Sequence, residues 1–164
     1  MTHRAAVDTF RQRWNAHNAQ MQGLFVQNIA GPPAYPNVGL TTGAGPQFTG
    51  QNAVGILFTA IFASFPNIVL NYVNPLRPED GDTIAVEALL TTGSHAAQWA
   101  PPGAPFSPPI GLIEPKGHGS IDLPVCAVFL FDHGSDLIKN LGLYFDRWKL
   151  AMDLWDRAHP GHLA

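Results

Sequence analysis

The stretch from Cys126 to Leu150 constrains the fold most, because it contains two apolar runs, a polar turn between them and the start of a helix. The runs 126–131 and 137–145 are rich in Val, Phe, Ile and Leu, which favours strands. Between them lies Asp132-His133-Gly134-Ser135-Asp136, a Gly-containing polar cluster typical of a hairpin connection. The sequence therefore predicts an antiparallel hairpin that ends on the carboxylate of Asp146.

Asp146 follows five uncharged residues and stands where the second strand gives way to a helix predicted over 147–158. An aspartate in this place has two open interpretations. It is either the N-cap of that helix or a base held in an apolar pocket. The residues around it have to decide between the two.

Strand alternation predicts which neighbours share a pocket with Asp146. If Asp146 points inward, then Asn140, Gly142 and Tyr144 lie on the same face and line the pocket with it. The opposite face then carries a stripe of large apolar residues, which predicts a dimer interface or a packed layer. This stripe consists of Leu141, Leu143 and Phe145.

The composition predicts a single domain over residues 1–164 and argues against one class of partner. The formal net charge is −3, from 9 Lys and Arg against 12 Asp and Glu, and no basic cluster is present. Both features argue against binding to nucleic acid. Charged residues make up only 13% of the chain while 46% is hydrophobic, so a large core, a ligand cavity or a subunit interface must take up the apolar surface.

Cys126 is the only cysteine, so a disulfide framework is excluded. Its place in an apolar strand predicts a small buried core residue. The sequence has no run of eighteen apolar residues and no basic start followed by an apolar leader. We therefore expect a soluble cytoplasmic protein that has no membrane partner.

Apolar periodicity predicts a helix over 3–18, in which Val7, Phe10 and Trp14 share one face, and another over 51–65 with a wider apolar stripe. A short helix is predicted over 19–26, with Met21, Leu24 and Phe25 facing inward. The Gly, Pro, Thr and Asn content of 30–50 predicts a long loop. The clear helices therefore precede the predicted hairpin.

The second half of the chain reads as strands. They are predicted over 68–73, 83–99, 118–132 and 137–146, with a turn at 75–82. Six prolines in 100–117 exclude a helix interior or a central strand and predict a stiff flap. Helices followed by an antiparallel sheet are the α+β pattern.

Four segments together resemble the successive signatures of the SnoaL-like polyketide cyclases, which belong to the nuclear transport factor 2-like superfamily. They are FRQRWNAHNAQMQGLFVQNI, GQNAVGILFTAIFASFPNI, GDTIAVEALLTTGSHAAQW and VCAVFLFDHGSDLIKNLGLYFDRWKL. The resemblance implies a cone-shaped α+β barrel: a curved antiparallel sheet wrapped around the N-terminal helices, with an internal apolar pocket and a homodimer contact on the outer sheet face.

The resemblance also implies site residues. Asp146 matches the aspartate that serves such cyclases as general acid/base, and His95 matches a histidine on the long strand. Gly142 departs from the pattern, because this position often carries Trp or another large polar residue. The segment 151–155, Ala-Met-Asp-Leu-Trp, departs from the usual last helix.

These residue types suit proton transfer next to a carbonyl, in which a base removes a carbon-bound proton and a donor steadies the enolate. Asp146 is the predicted base, and His95 or the hydroxyl of Tyr144 is the predicted donor. Glu87 is either a second carboxylate in the cavity or a surface charge. The predicted substrate contacts are Tyr144, Asn140, Trp14, Phe58, Phe62 and Trp99, although aromatic residues at such spacings are often only core.

Two functions stay open at this stage. The first is a cofactor-independent enzyme that performs an aldol-type cyclisation or an isomerisation on an apolar, polyketide-like carbonyl compound. The second is a noncatalytic small-molecule binding protein with the same fold. The sequence contains no HExxH motif, cysteine pair, nucleophile elbow, phosphate loop or dinucleotide fingerprint, so neither hypothesis invokes a metal or a cofactor.

Overall fold

The computed structural model describes residues 2–18, 20–27, 37–40, 47–74, 81–93, 121–146, 150 and 153. Between residues 2 and 146, the described residues form two α-helices, a short 3-10 helix and one six-stranded sheet, which confirms the α+β class. The helices are α1 (His3–Asn15), the 3-10 helix (Met21–Leu24) and α2 (Gln51–Ser64). The strands are β1 (Asn37–Leu40), β2 (Gln47–Thr49), β3 (Val69–Tyr72), β4 (Thr83–Thr92), β5 (Ile121–Phe131) and β6 (Ile138–Phe145).

The strand order is β2-β1-β6-β5-β4-β3. Strands β3, β4, β5 and β6 pair antiparallel with one another in that order, as predicted, and β5 and β6 form the predicted hairpin. β1 runs parallel to β6 and antiparallel to β2, so the sheet is mixed at this side. The prediction of an unstructured loop over 30–50 is therefore wrong at β1 and β2. Their sequences lack apolar alternation, but pairing to β6 and to each other uses backbone groups that every non-proline residue carries.

Helix α1 forms where the periodicity predicts it and buries the predicted stripe of Val7, Phe10 and Trp14. At its start, the hydroxyl oxygen of Thr2 accepts a hydrogen bond from the amide of Ala5 at 3.4 Å. The helix ends at Asn15, and His17 two residues later has a positive φ of 48°. The chain thus turns sharply after the last buried aromatic residue.

Polar side chains at the end of α1 hold the backbone of β3, an edge strand. The amide of Asn15 donates to the Leu70 carbonyl oxygen at 3.1 Å and accepts from the Leu70 N–H at 2.7 Å. The Nε2 of His17 donates to the Ile68 carbonyl oxygen at 2.8 Å. Asn15 thereby acts as a one-residue substitute for a neighbouring strand, which protects an edge that would otherwise pair with another chain.

Helix α2 begins after Gly50, whose φ of 92° favours glycine, and carries no charged residue. Val54, Leu57 and Phe58 are fully buried, which confirms the predicted stripe. The helix thus packs its apolar side into the core, and its opposite side contains only small, amide and aliphatic side chains.

The sheet has an inner face, towards the helices, and an outer face. Burial alternates along β5, where Val125, Ala127 and Phe129 point inward and are buried. Cys126 lies on the outer face and is exposed, so the prediction that it is a buried core residue is wrong. The strand is apolar on both faces, and composition alone does not tell which face is covered.

The apolar leucine-rich and phenylalanine-rich stretches therefore serve the core of a globular fold. No helix within the described ranges combines the length and the apolar character that crossing a bilayer requires. Several predicted segments lie outside the described residues: the turn at 75–80, the flap at 100–117, the end of the long strand at 94–99, and most of the last helix.

Candidate functional site

β6 presents its faces in the opposite sense to the prediction. Leu141 and Leu143 are buried against the core, whereas Tyr144 is 39% exposed on the outer face and Asn140 is half-buried. The prediction that Tyr144 and Asn140 line the interior is therefore wrong for this conformation. The prediction that Leu141 and Leu143 face away from the interior, into a dimer interface or a packed layer, is also wrong, because both lie in the core.

A register irregularity lies at the start of β6, before the residues whose faces were predicted. Leu130 pairs with Asn140, but the next residue of β5, Phe131, pairs with Ile138, so Lys139 is an extra residue on β6. Such a bulge shifts the alternation by one. Ile138 and Leu141 consequently both point inward.

Asp146 lies just beyond the end of β6 and its side chain is exposed. Its carbonyl oxygen accepts a hydrogen bond from the amide of Leu150 at 3.1 Å, which is the first intrahelical bond of the terminal helix. This is the backbone position of an N-cap residue. Asp146 is thus in solvent at a helix start rather than enclosed in an apolar pocket, and a catalytic role for it stays a prediction.

Gly142 makes room for the ring of Tyr144, two residues along the same face. A Cβ atom at position 142 would lie 2.6 Å from Cε2 and 2.9 Å from the hydroxyl oxygen of Tyr144, closer than carbon atoms pack. The ring thus folds back over the glycine on the outer face. The departure from a large residue at this position has a local cause that does not involve the interior.

Glu87 is also on the outer face, where it is exposed and pairs in register with Cys126. The side-chain amide of Asn74 donates a hydrogen bond to its carboxylate. Of the two interpretations of Glu87, the structure supports the surface charge and not a second carboxylate in a cavity.

Three of the predicted contact residues, Trp14, Phe58 and Phe62, do come together on the inner side. The Trp14 ring lies 5.8 Å from the ring of Phe58 and 5.5 Å from that of Phe62, both edge to face. Phe10 joins the same cluster, 5.9 Å from Phe58, and also packs on Phe129 of the sheet at 5.2 Å. We call these four residues of the helices, Phe10, Trp14, Phe58 and Phe62, the aromatic cluster.

The inner side is almost free of polar groups. Within the described part of the chain, Thr92 is the only buried residue with a polar side chain that is neither aromatic nor aliphatic. His17 stacks on Phe62 at 5.1 Å, and both residues are half-buried. The aromatic cluster therefore extends from the core to the surface of the molecule at Phe62 and His17.

Tyr72 is a site residue that the sequence reasoning missed. Its hydroxyl donates to the carbonyl oxygen of Val7 at 2.7 Å, and the guanidinium of Arg11 lies 5.3 Å from the centre of its ring. Burial, and then the negative charge of Asp8, raise the pKa of the Tyr72 phenol well above its usual value. The sequence signal that could have identified Tyr72 is a tyrosine among apolar residues in a predicted strand, because a buried tyrosine hydroxyl usually has a hydrogen-bond partner.

An open groove of about 610 Å³ lies on the other side of α2, against the 3-10 helix. It is lined by Gln22, Gly55, Ile56 and further small or amide residues of α2, and none of its lining residues is charged. Its lining residues lie on the side of α2 opposite the buried residues Val54, Leu57 and Phe58, so the groove faces away from the aromatic cluster. It is therefore not the internal pocket that the sequence predicts.

The described residues include no cluster of three or more His, Cys, Asp and Glu side chains that would hold a metal ion. The Nδ1 atom of His133, at the hairpin turn, lies 3.1 Å from the carboxylate of Asp82. His95 and Trp99 lie outside the described residues, so their predicted roles stay predictions.

No family model matches the sequence, and no curated protein sequence matches it. Solved structures do resemble the fold. A proposed SnoaL-like polyketide cyclase from Jannaschia sp. CCS1 is 14% identical with a TM-score of 0.65, over 96% of this chain and 92% of that one. A proposed polyketide cyclase from Acidithiobacillus ferrooxidans is 17% identical with a TM-score of 0.66, over 94% and 95%.

A third structure, a protein of ketosteroid isomerase-like fold from Catenulispora acidiphila in complex with trimethylamine, is 14% identical with a TM-score of 0.59, over 87% of this chain and 85% of that one. At these identities the agreement concerns the path of the chain and not its chemistry. It extends over nearly the whole length, as the resemblance in the sequence implies. The chain therefore has the fold of the SnoaL-like and ketosteroid isomerase-like proteins.

Proposed function

We propose that this protein binds a neutral apolar small molecule on the inner side of its sheet, against the aromatic cluster, without catalysing a reaction. The observation that carries the proposal is the chemistry of that side: buried residues that are all apolar except Thr92 in the described part of the chain. An apolar lining with few polar groups is typical of small-molecule sites. A charged ligand would lose its hydration there and gain no partner.

The position of Asp146 supports binding rather than turnover. Its side chain is exposed beyond β6. Among the described residues, no buried side chain on the inner side is a carboxylate, a histidine or a lysine. One neighbour of the same fold was solved in complex with a small molecule, trimethylamine.

Calorimetric titration with 2-acetylnaphthalene tests the proposal, because this probe is neutral, mostly apolar and aromatic. We expect saturable binding that Phe62→Ala weakens about tenfold, since contacts worth roughly 1.4 kcal/mol are removed. Ile56→Ala is the matched control: it is on the same helix but lines the outer groove. Absence of saturable binding to the folded protein, or a larger effect of Ile56→Ala, would contradict binding at the inner side.

The second candidate function is acid–base catalysis on a carbonyl compound, and the sheet topology favours it. β4 and β6 run in the same direction, since both are antiparallel to β5, so Thr92 and Phe145 end their strands at the same end of the sheet. His95 follows the first by three residues and Asp146 follows the second directly. The two predicted catalytic residues therefore belong to segments that leave the sheet at one end.

Deuterium exchange at the methyl group of 2-acetylnaphthalene in D2O separates the two functions, because a base that forms the enolate exchanges these protons. Catalysis predicts exchange above the buffer rate that Asp146→Asn lowers by about 10²- to 10⁴-fold. Asp132→Asn, at the hairpin turn and the opposite end of the sheet, is the matched control. Binding without exchange would reject catalysis by the enolate route and support the first proposal.

We further propose that the outer face of the sheet forms a homodimer. Tyr144 is 39% exposed there, and apolar side chains of the central strands, such as Val128 and Leu130, are only half covered within one chain. Sedimentation velocity at 10 to 100 μM, a range set to roughly span moderate affinities, should show a dimer that Val128→Lys dissociates. A wild-type protein that sediments as a monomer throughout this range would contradict the interface.

A further inference from the structure

The indole N–H of Trp14 is a buried donor without an acceptor. Trp14 is 2% exposed, and its Nε1 atom has no hydrogen-bond partner among the described residues. Buried tryptophan N–H groups usually find a partner, because an unpaired donor loses its hydrogen bond to water and gains none in return. A phenylalanine would fill this apolar place without that cost.

The neighbours of Trp14 do not provide a conventional acceptor. Its ring packs edge to face on Phe58 and Phe62, and Phe10 lies 5.9 Å away on the same helix. The nearest polar side chains along the sequence, Asn15 and His17, hold the carbonyl oxygens of β3. The indole N–H is thus an uncommitted polar group within an otherwise hydrocarbon wall.

The cluster reaches the surface where Phe62 and His17 stack at 5.1 Å. Both rings are half-buried, in contrast to Phe10 and Phe58, which are fully buried. Phe62 is thus the member of the aromatic cluster that lies between Trp14 and the surface.

We propose that Trp14 determines ligand specificity by donating its indole N–H to the acceptor oxygen of a neutral carbonyl compound, such as a ketone or an ester. This inference rests on the proposed binding function and assigns the polar contact within that site. An indole is a donor only, so it discriminates between a ligand that has an acceptor and its hydrocarbon analogue. A carboxylate is disfavoured, because it would lose its hydration among the apolar rings of the aromatic cluster.

Two ligands of nearly the same shape test the assignment. 2-Acetylnaphthalene has the carbonyl oxygen, and 2-isopropenylnaphthalene has a CH2 group in its place. Calorimetry gives the ratio of their affinities for the wild type and for Trp14→Phe, and comparing the two ratios cancels the difference in hydration of the free ligands. We expect Trp14→Phe to lower the preference for the ketone about fivefold, as one net hydrogen bond implies, and to leave alkene binding within about twofold.

Phe62→Ala is the control, because it changes the size of the cluster without removing a donor. It should weaken both ligands by the same factor and leave the ratio unchanged. An unchanged ratio in Trp14→Phe, including an equal loss of both ligands, would overturn the assignment while binding to the wild type would still support the proposed function. Failure of both ligands to bind the wild type would reject the proposed function and, with it, this contact.

A measurement on the wild-type protein makes the test independent of how well Trp14→Phe folds. In a 15N–1H spectrum the chain gives indole signals from four tryptophans. One of them should move downfield with the ketone and not with the alkene, because only the ketone accepts a hydrogen bond. The signal is assigned to Trp14 by its absence from the spectrum of Trp14→Phe or, if that variant does not fold, of Trp14→Tyr. No selective shift would overturn the assignment.

Discussion

Both faces of the sheet carry apolar residues, but they differ in what covers those residues. On the inner face, Phe129 is fully buried and packs 5.2 Å from Phe10 of α1. On the outer face, the adjacent residue Val128 is only half-buried, and Cys126 is exposed. The difference shows that a residue's position relative to the helices, and not its hydrophobicity alone, determines how much its burial contributes to the free energy of unfolding.

The same contrast holds for two tyrosines. The Tyr72 hydroxyl donates to a backbone carbonyl of α1, whereas the Tyr144 ring folds over Gly142 and stays 39% exposed. Tyr72 therefore joins α1 to the edge strand β3, whereas Tyr144 covers the place on β6 where Gly142 has no side chain. The comparison leads to four predictions about stability, which begin with the largest expected effect and end with the smallest.

Phe129→Ala has the largest expected effect. Removal of a fully buried ring leaves a cavity under α1 and should lower the free energy of unfolding by about 3–5 kcal/mol. Val128→Ala, one residue away on the outer face, should cost about 1 kcal/mol or less. Urea denaturation of both variants at low protein concentration makes the comparison.

Equal costs for the two variants would show that the faces do not differ as described. A cost for Val128→Ala that grows with protein concentration has a separate meaning, because only association couples stability to concentration. That result would support the outer face as the homodimer contact.

Tyr72→Phe has the next largest expected effect, about 1 kcal/mol, because it leaves the Val7 carbonyl oxygen without its donor. Tyr144→Phe, which removes an exposed hydroxyl, should change stability by no more than about 0.5 kcal/mol. Thermal or urea unfolding at pH 7 measures both. A larger loss in Tyr144→Phe would contradict the ranking of the two faces.

The same tyrosine makes stability depend on alkaline pH. Burial raises the pKa of the Tyr72 phenol, so in the folded state the phenol keeps its proton above pH 10, where an unfolded tyrosine loses it. The unfolded state then binds fewer protons than the folded state, and stability falls as the pH rises above about 10. Urea unfolding at pH 9 and at pH 10.5 should show a smaller fall in Tyr72→Phe than in the wild type, with Tyr144→Phe as the control.

The sequence predicts the helices and the hairpin well because their signals are local. Val7, Phe10 and Trp14 define α1 by spacing alone, and the polar cluster at 132–136 defines the turn between β5 and β6. β1 has no such signal, because its pairing with β6 joins residues about a hundred positions apart through backbone groups. The bonds of Asn15 to Leu70 and of His17 to Ile68 depend on tertiary contact, so no local pattern predicts them.

The prediction that Asn140 and Tyr144 face the interior depends on Asp146 pointing inward. The burial of the leucines of β6 opposes that orientation. Burying a leucine is worth roughly 1.5–3 kcal/mol, so the pair Leu141 and Leu143 outweighs any preference of Tyr144 for the interior. The extra residue Lys139 lies before Asn140 and does not change the alternation from Asn140 to Phe145. The inner position of Trp14 was predicted, but its unpaired N–H is visible only once the neighbouring rings are placed.

Gly142→Ala has the smallest expected effect and tests how the outer face of β6 is covered. An alanine is more favourable than glycine in a strand by about 0.5–1 kcal/mol, but its Cβ would meet the Tyr144 ring at 2.6 Å. Because that ring is exposed and free to rotate away, the two terms should nearly cancel, within about 0.5 kcal/mol.

The cancellation becomes measurable in the Tyr144→Ala background, where the ring is absent and only the gain in strand preference is left. There, Gly142→Ala should stabilise the protein by about 0.5–1 kcal/mol, and the difference between the two backgrounds gives the coupling of the pair. Urea unfolding of the four proteins of this cycle provides the measurement. Equal effects in both backgrounds would mean that the Tyr144 ring does not rest on Gly142 in solution. The outer surface of the strand would then be as open at Gly142 as its lack of a side chain suggests.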